Sequence, residues 1–169
     1  MSMSEAEPTS VSVSRRIEAD ADEIFAVLTD PTRHPGIDGS GMLRYAVTRS
    51  TVTGTGQSFV IRMHNDEMGE YEMTNTVVEF EPSRRIAWAP AMSAGTRDED
   101  VESLSETGQH VWGFSLEPDG AATLVTETFD CSNSPPWLRR AVRGGTRWQS
   151  AMEATLERLD QQCSARLRR

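Results

Sequence analysis

Two periodicities divide this chain, and together they constrain its fold more than any single motif. From Met42 to Asp130, apolar residues recur at alternate positions in short runs separated by turn residues. From Ser134 onward the repeat lengthens to three or four, so that Trp148, Met152, Leu156, Leu159 and Cys163 fall on one stripe of a helix. The first pattern predicts strands near Met42–Thr48, Gln57–His64, Glu70–Phe80, Arg85–Ala91, Gln109–Glu117 and Ala122–Asp130. Connections such as "NDEMG", "EPSR" and "EPDG" are too short for crossovers, so these strands form an antiparallel meander. The exception is Ser93 to Gly108, a long polar and acidic stretch that reads as a mobile loop at one edge.

Upstream, Thr9 to Glu18 alternates as a further strand. Asp20 to Asp30 reads as a short helix, with Ala21, Ile24, Phe25 and Leu28 on one face and Asp20 as N-cap three residues before Glu23. Pro31 should stop it, leaving "PTRHPGIDGSG" as a loop with room for one helical turn. Residues 1–8 read as a disordered leader and 9–169 as a single domain. Ser134 followed by two prolines is a helix start, and Gly144-Gly145 should kink or split the helical third. Thr146 with Gln149 forms a candidate capping box beyond that break.

Charge and motif content narrow the function. A net charge of −9 repels phosphate backbones, which argues against nucleic acid as a partner. No apolar run approaches the ~20 residues of a membrane span. The N-terminus lacks the basic start and apolar core of a signal peptide, so the expected compartment is the cytoplasm, with Cys131 and Cys163 as thiols rather than a disulfide. His34, His64 and His110 fit no HxH or HExxH spacing, and there is neither a glycine-rich phosphate loop nor GxSxG. No metal or cofactor is expected. Nothing in the pattern sets an oligomeric state.

The segment "HVWGFSLEPDGAATLVTETF" poses the functional question. Asp-Gly between alternating runs is a hairpin signal. Pairing across Pro118-Asp119-Gly120 sets Leu116 opposite Thr123, Phe114 opposite Val125, Trp112 opposite Glu127 and His110 opposite Phe129. All eight then share one face, mostly large and apolar, which nevertheless carries a glutamate and a histidine. Three readings stand. Both residues face a cavity holding water or ligand; or Glu127 sits at a strand end or pairs with an arginine; or the register is one residue off and both face solvent.

The order strand, short helix, loop, meander and long amphipathic helix resembles the helix-grip fold of the START/SRPBCC superfamily, in its bacterial polyketide cyclase/dehydrase and lipid transport branch. The resemblance runs from Thr9 to about Gln162 and rests on "VSVSRRIEADADEIFAVLTDP", "VVEFEPSRRIAW" and "WGFSLEPDGAATLVTETFD". It implies an α+β domain whose curved antiparallel sheet wraps a long C-terminal helix and leaves a cavity that takes hydrophobic small molecules. The superfamily has no shared catalytic residue to carry over.

Alternation supplies the candidate lining. Phe59, Ile61 and Met63 share a face, as do Tyr71, Met73 and Asn75. Beyond Asn75, Val78, Phe80, Ile86 and Trp88 join that face only if a bulge lies near Thr76 or Val77. With Trp112, Phe114, Trp148 and Met152 these make an apolar pocket or, equally, ordinary core. Glu127 with His110 is the candidate acid/base pair of a cyclase-type enzyme. Arg139, Arg140, Arg143 and Arg147 either receive a ligand anion at the cavity mouth or form a solvated face. Cys131 is a nucleophile or a structural thiol. The gate is expected at the acidic loop and the Gly144-Gly145 break. Three functions fit: a carrier of a lipid, isoprenoid or polyketide-like molecule, an aromatase/cyclase, or a docking protein.

Overall fold

The computed structural model describes residues 8–93 and 109–167. Alternating inward and outward side chains build one antiparallel sheet of seven strands: β1 (Ser10–Ile17), β2 (Leu43–Ala46), β3 (Ser58–Asn65), β4 (Gly69–Glu81), β5 (Arg85–Met92), β6 (Val111–Asp119) and β7 (Ala122–Asp130). Their order across the sheet is β1-β7-β6-β5-β4-β3-β2, so the meander is closed on one side by the N-terminal strand. The outer face is polar: Ser12 and Ser14 hydrogen-bond Thr128 and Thr126 across the β1–β7 pair, both at 2.8 Å.

Helix α1 (Ala21–Leu28) begins where the Asp20 carboxylate accepts the Glu23 N–H at 2.8 Å. Pro31 does end α1, but it also starts something. Asp30 accepts the Thr32 N–H, and a 3-10 turn Pro31–Arg33 runs into helix α2 (His34–Ile37). A proline at the first helical position costs no hydrogen bond. The stretch expected to be mainly loop is therefore largely helical.

Two irregularities bend the sheet. The β4–β5 register shifts between Val77 and Glu79. Val77 is 1% exposed and Val78 42%, so the face changes at Val78, one residue after the expected place. Phe80 then returns inward, edge-on to Phe25 at 5.4 Å. A second shift separates Leu43 from Tyr45 on β2. The long helix Gln149–Leu167 lies in the resulting concave face, and Met152, Leu156, Leu159 and Cys163 are buried in one core with Val13, Ile17, Ile24, Leu28 and Val125.

A short helix, Pro136–Ala141, and a 3-10 segment, Arg143–Trp148, lead into it. Gly144 (φ 66°) and Gly145 (φ 100°) make the kink. A side-chain carbon at Gly144 would lie 1.9 Å from the Pro8 carbonyl oxygen, and one at Gly145 2.7 Å from the Phe129 ring. The break is thus a tightly packed corner. Thr146 donates its hydroxyl to the Arg143 carbonyl instead of capping the next helix. Apart from Pro8 and Ser93, the expected leader and the expected acidic gate lie outside the described residues.

The β6–β7 loop corrects the hairpin register by two. Asp119 is the last residue of β6, paired with Ala122, and the loop is Gly120-Ala121. Gly120 supplies the positive φ (62°) that a two-residue hairpin needs, while the Asp119 carboxylate is held by Arg16 on β1 at 2.9 Å. Glu127 therefore faces Phe114 rather than Trp112, and Trp112 faces Phe129. A slip of two leaves every side chain on its original face.

Candidate functional site

Between the concave face of the sheet and the N-terminal half of the long helix lies a cavity of about 440 Å³. That is within the range of small-molecule sites. Alternation on β3 brings Phe59, Ile61 and Met63 to it; β4 brings Tyr71, Met73 and Asn75; β5 brings Trp88. From β6 come Trp112 and Phe114, from β7 Glu127, and from the helical side Trp148 and Met152. His110, just ahead of β6, completes the set, so these thirteen candidates border one space, while Val78, Phe80 and Ile86, also considered for the lining, do not.

Other lining residues were not readable in advance. His34, Ile37, Asp38, Ser40, Met42 and Leu43 form a wall from the segment between α1 and β2. Gly39 docks that wall on the long helix. Its N–H donates to Thr155 Oγ1 at 2.9 Å, and a side-chain carbon there would lie 2.1 Å from the Ala151 carbonyl oxygen. Pro90 and Met92 join from the end of β5, beyond the described β5–β6 pairs, which cover Arg85–Trp88. A signal did exist for part of this. Six of the eight methionines line the cavity, Met42, Met68 and Met92 with the expected Met63, Met73 and Met152, and the other two are Met1 and Met3. Unbranched thioethers adapt to irregular ligands and pack on aromatic edges.

The aromatic lining falls into two groups. His34 stacks on Trp88 (5.4 Å, 21°) and meets Phe59 edge-on (5.3 Å, 84°). Trp88 leads on to Phe114 at 5.7 Å, and Trp112 joins Phe129 (4.7 Å) to Trp148 (6.3 Å).

Glu127 is the outlier in this apolar surface. It is 5% exposed, and among the described residues its Oε2 has no hydrogen-bond partner. Burial, helped by the negative charge of Asp38, pushes its carboxyl up to about 8, so the group is mainly protonated at neutral pH. Of the three readings for this face, a cavity lining is the one found; no arginine reaches it among the described residues. Asp38 is fully engaged: Oδ1 accepts from the Ser40 N–H (2.9 Å) and hydroxyl (2.7 Å), and Oδ2 from the Leu43 N–H (3.1 Å). His34 Nε2 lies 2.8 Å from the Leu28 carbonyl, which only accepts, so Nε2 carries hydrogen. Burial pushes the His34 ring toward the neutral form. Tyr71 Oη accepts from Asn65 Nδ2 at 3.4 Å, and Asn75 Nδ2 donates to the Phe59 carbonyl at 3.3 Å.

Other candidates lie elsewhere. Arg140, Arg143 and Arg147 are exposed, with Arg147 over the Trp148 ring at 5.5 Å, and Arg139 donates to the Ser134 carbonyl. None of the four lines the cavity. Cys131 is buried, its thiol donating to the Thr9 carbonyl, and burial pushes its pKa up, which removes nucleophilic character. Cys131 and Cys163 are not joined by a disulfide. Among the described residues no group of three or more His, Cys, Asp and Glu is placed to hold a metal, and no helix is long and apolar enough to cross a membrane.

A curved antiparallel sheet gripping one long helix around an apolar cavity defines a helix-grip protein. Within that class, the chain belongs to the polyketide cyclase/dehydrase and lipid transport family, whose model matches residues 8–164. It is 32% identical over 126 residues to the uncharacterized protein Rv0088 of Mycobacterium tuberculosis, a match covering 75% of this chain and 49% of that protein. The chain thus spans about half the length of the curated relatives it matches. Solved structures share the fold. One is a Rhodobacter sphaeroides protein with TM-score 0.66 and 19% identity, covering 93% of each chain. Another is the AHSA1-like protein of Aeromonas hydrophila with TM-score 0.54 and 16% identity, covering 89% of this chain and 92% of that one.

Proposed function

We propose that this protein is a binding protein that encloses a hydrophobic small molecule, of lipid, isoprenoid or polyketide-like kind, between its sheet and its C-terminal helix. The observation that carries this reading is the cavity itself: about 440 Å³ of space walled by aromatic rings and methionines, with Glu127 on the wall and its buried Oε2 without a hydrogen-bond partner among the described residues. A core built only for stability would fill that volume and exclude that group. Cytoplasmic residence belongs to the same proposal. Native mass spectrometry of the protein purified from its own host tests it. The expected spectrum shows a small-molecule adduct lost on denaturation. Bare protein that also takes up no lipid or polyketide extract would end the reading.

One observation favours a second reading, catalysis of the cyclase or dehydratase type. A carboxyl titrating near 8 is matched to general acid/base work at neutral pH, with His110 on the same cavity. In that case Glu127→Gln abolishes turnover of a polyketide-like substrate and spares its binding. Loss of binding alone supports the carrier.

A further inference from the structure

The charged and polar groups on the cavity wall bear on which ligands it can take. The titratable and charged groups on it are His34 and Asp38 from the α2 segment, Tyr71 from β4, His110 ahead of β6, and Glu127 on β7. Among the described residues β3, β5 and the long helix contribute none, and no arginine lines it. An anionic headgroup would find no counter-ion among the described residues and would meet Asp38, whose carboxylate already accepts from Ser40 and Leu43. Burying an unpaired charge is the costliest thing a ligand can be asked to do.

Two of the polar groups on the wall are complementary in kind. Glu127 contributes a carboxyl whose Oε2 has no hydrogen-bond partner among the described residues. In its protonated form it donates one hydrogen bond. His34 has Nε2–H tied to the Leu28 carbonyl, and its side chain makes no other hydrogen bond among the described residues. Its remaining ring nitrogen, Nδ1, is then an acceptor. Trp88 and Phe114 lie between the two groups: His34 stacks on Trp88, Trp88 adjoins Phe114, and Phe114 is the cross-strand partner of Glu127. A donor and an acceptor thus sit at opposite ends of an aromatic strip.

From this we infer that the ligand is an uncharged oxygenated molecule: a carbonyl oxygen takes the Glu127 proton donor, and a hydroxyl elsewhere on it donates to His34 Nδ1. The inference rests on the binding reading above and excludes free fatty acids and phospholipid headgroups from the cavity. An amine is the serious competitor, since aromatic rings and a carboxylate attract cations. It is disfavoured because Glu127 would first have to ionise in an apolar, buried position.

Calorimetric titration at neutral pH with matched naphthalene probes separates these cases. An acetylnaphthol should bind at least about tenfold tighter than the hydroxynaphthoate of the same skeleton and than naphthylmethylamine, the worth of one satisfied buried hydrogen bond against one unpaired charge. In His34→Phe, the ratio of acetylnaphthol affinity to that of acetylnaphthalene, which lacks the hydroxyl, should fall to about one. Equal or tighter binding of the naphthoate, tighter binding of the amine, or an unchanged ratio in His34→Phe overturns the inference while leaving the enclosure of small molecules intact. No binding of any probe removes both together.

Discussion

The two halves of the groove under the long helix are made from the same elements and filled in opposite ways. In one half, Ile17, Ile86, Val125 and Leu159 are fully buried, with Leu116 and Leu156 nearly so, and the space between helix and sheet is closed by side chains. In the other, Met63, Met73, Trp88, Trp112 and Trp148 remain partly exposed and border a cavity. The contrast runs along single elements. On the long helix Met152 lines the cavity while Leu159 and Cys163 lie in solid core, and on β7 Glu127 lines it two residues from Val125. One half supplies the stability that lets the other stay hollow and keep a buried carboxyl.

The largest expected effect comes from attacking the filled half. Leu159→Ala should cost about 2–5 kcal/mol in denaturant unfolding, as truncation in a closed core leaves a void. A cost below about 1 kcal/mol would mean that half is no better packed than the other.

Next is the pH dependence that Glu127 imposes. Its folded-state pKa of about 8 lies above the ordinary 4.5, so between those values the folded protein binds more protons than the unfolded chain. Stability from this group is then full below about pH 4.5 and is lost as pH rises through about 8, a change on the order of a few kcal/mol. Thermal melts from acid to mildly alkaline pH should show that decline, and Glu127→Gln should flatten it. The same slope in both proteins would assign it to other groups. Glu127→Leu should stabilise the apo protein by about 1–3 kcal/mol, since it removes a buried polar group without a partner.

The smallest effect belongs to the lining. Met73→Ala should cost about 1 kcal/mol or less, because the side chain already borders open space and loses fewer contacts than Leu159. Comparable losses for Met73→Ala and Leu159→Ala in the same denaturant series would erase the contrast between the halves.

Much of this architecture was written in the sequence, and the reasons are local. Strand alternation fixes which face a residue takes, so Phe59, Tyr71, Trp88 and Glu127 could be assigned to one surface without coordinates. That assignment survived a wrong hairpin register because the slip was even. Asp20 and its capped helix were legible for a similar reason: the cap is a contact between near neighbours. His34 and Asp38 were not, since they lie on a segment without sustained periodicity, which Gly39 lets touch the long helix. Pro90 and Met92 lie at the far end of β5, beyond its described pairs with β6, where no local pattern marks them as lining. Nor does any pattern state that a face of large apolar residues encloses space instead of filling it.

That last point is the central claim, and filling the space tests it most directly. Ala151 lines the cavity from the long helix, so Ala151→Phe puts a ring into it while leaving the filled half untouched. Fluorescence titration with Nile red, an uncharged apolar dye, should give saturable binding to one site on the native protein. The folded Ala151→Phe variant should show none. Undiminished saturable binding by that variant, or none by the native protein, would contradict the account.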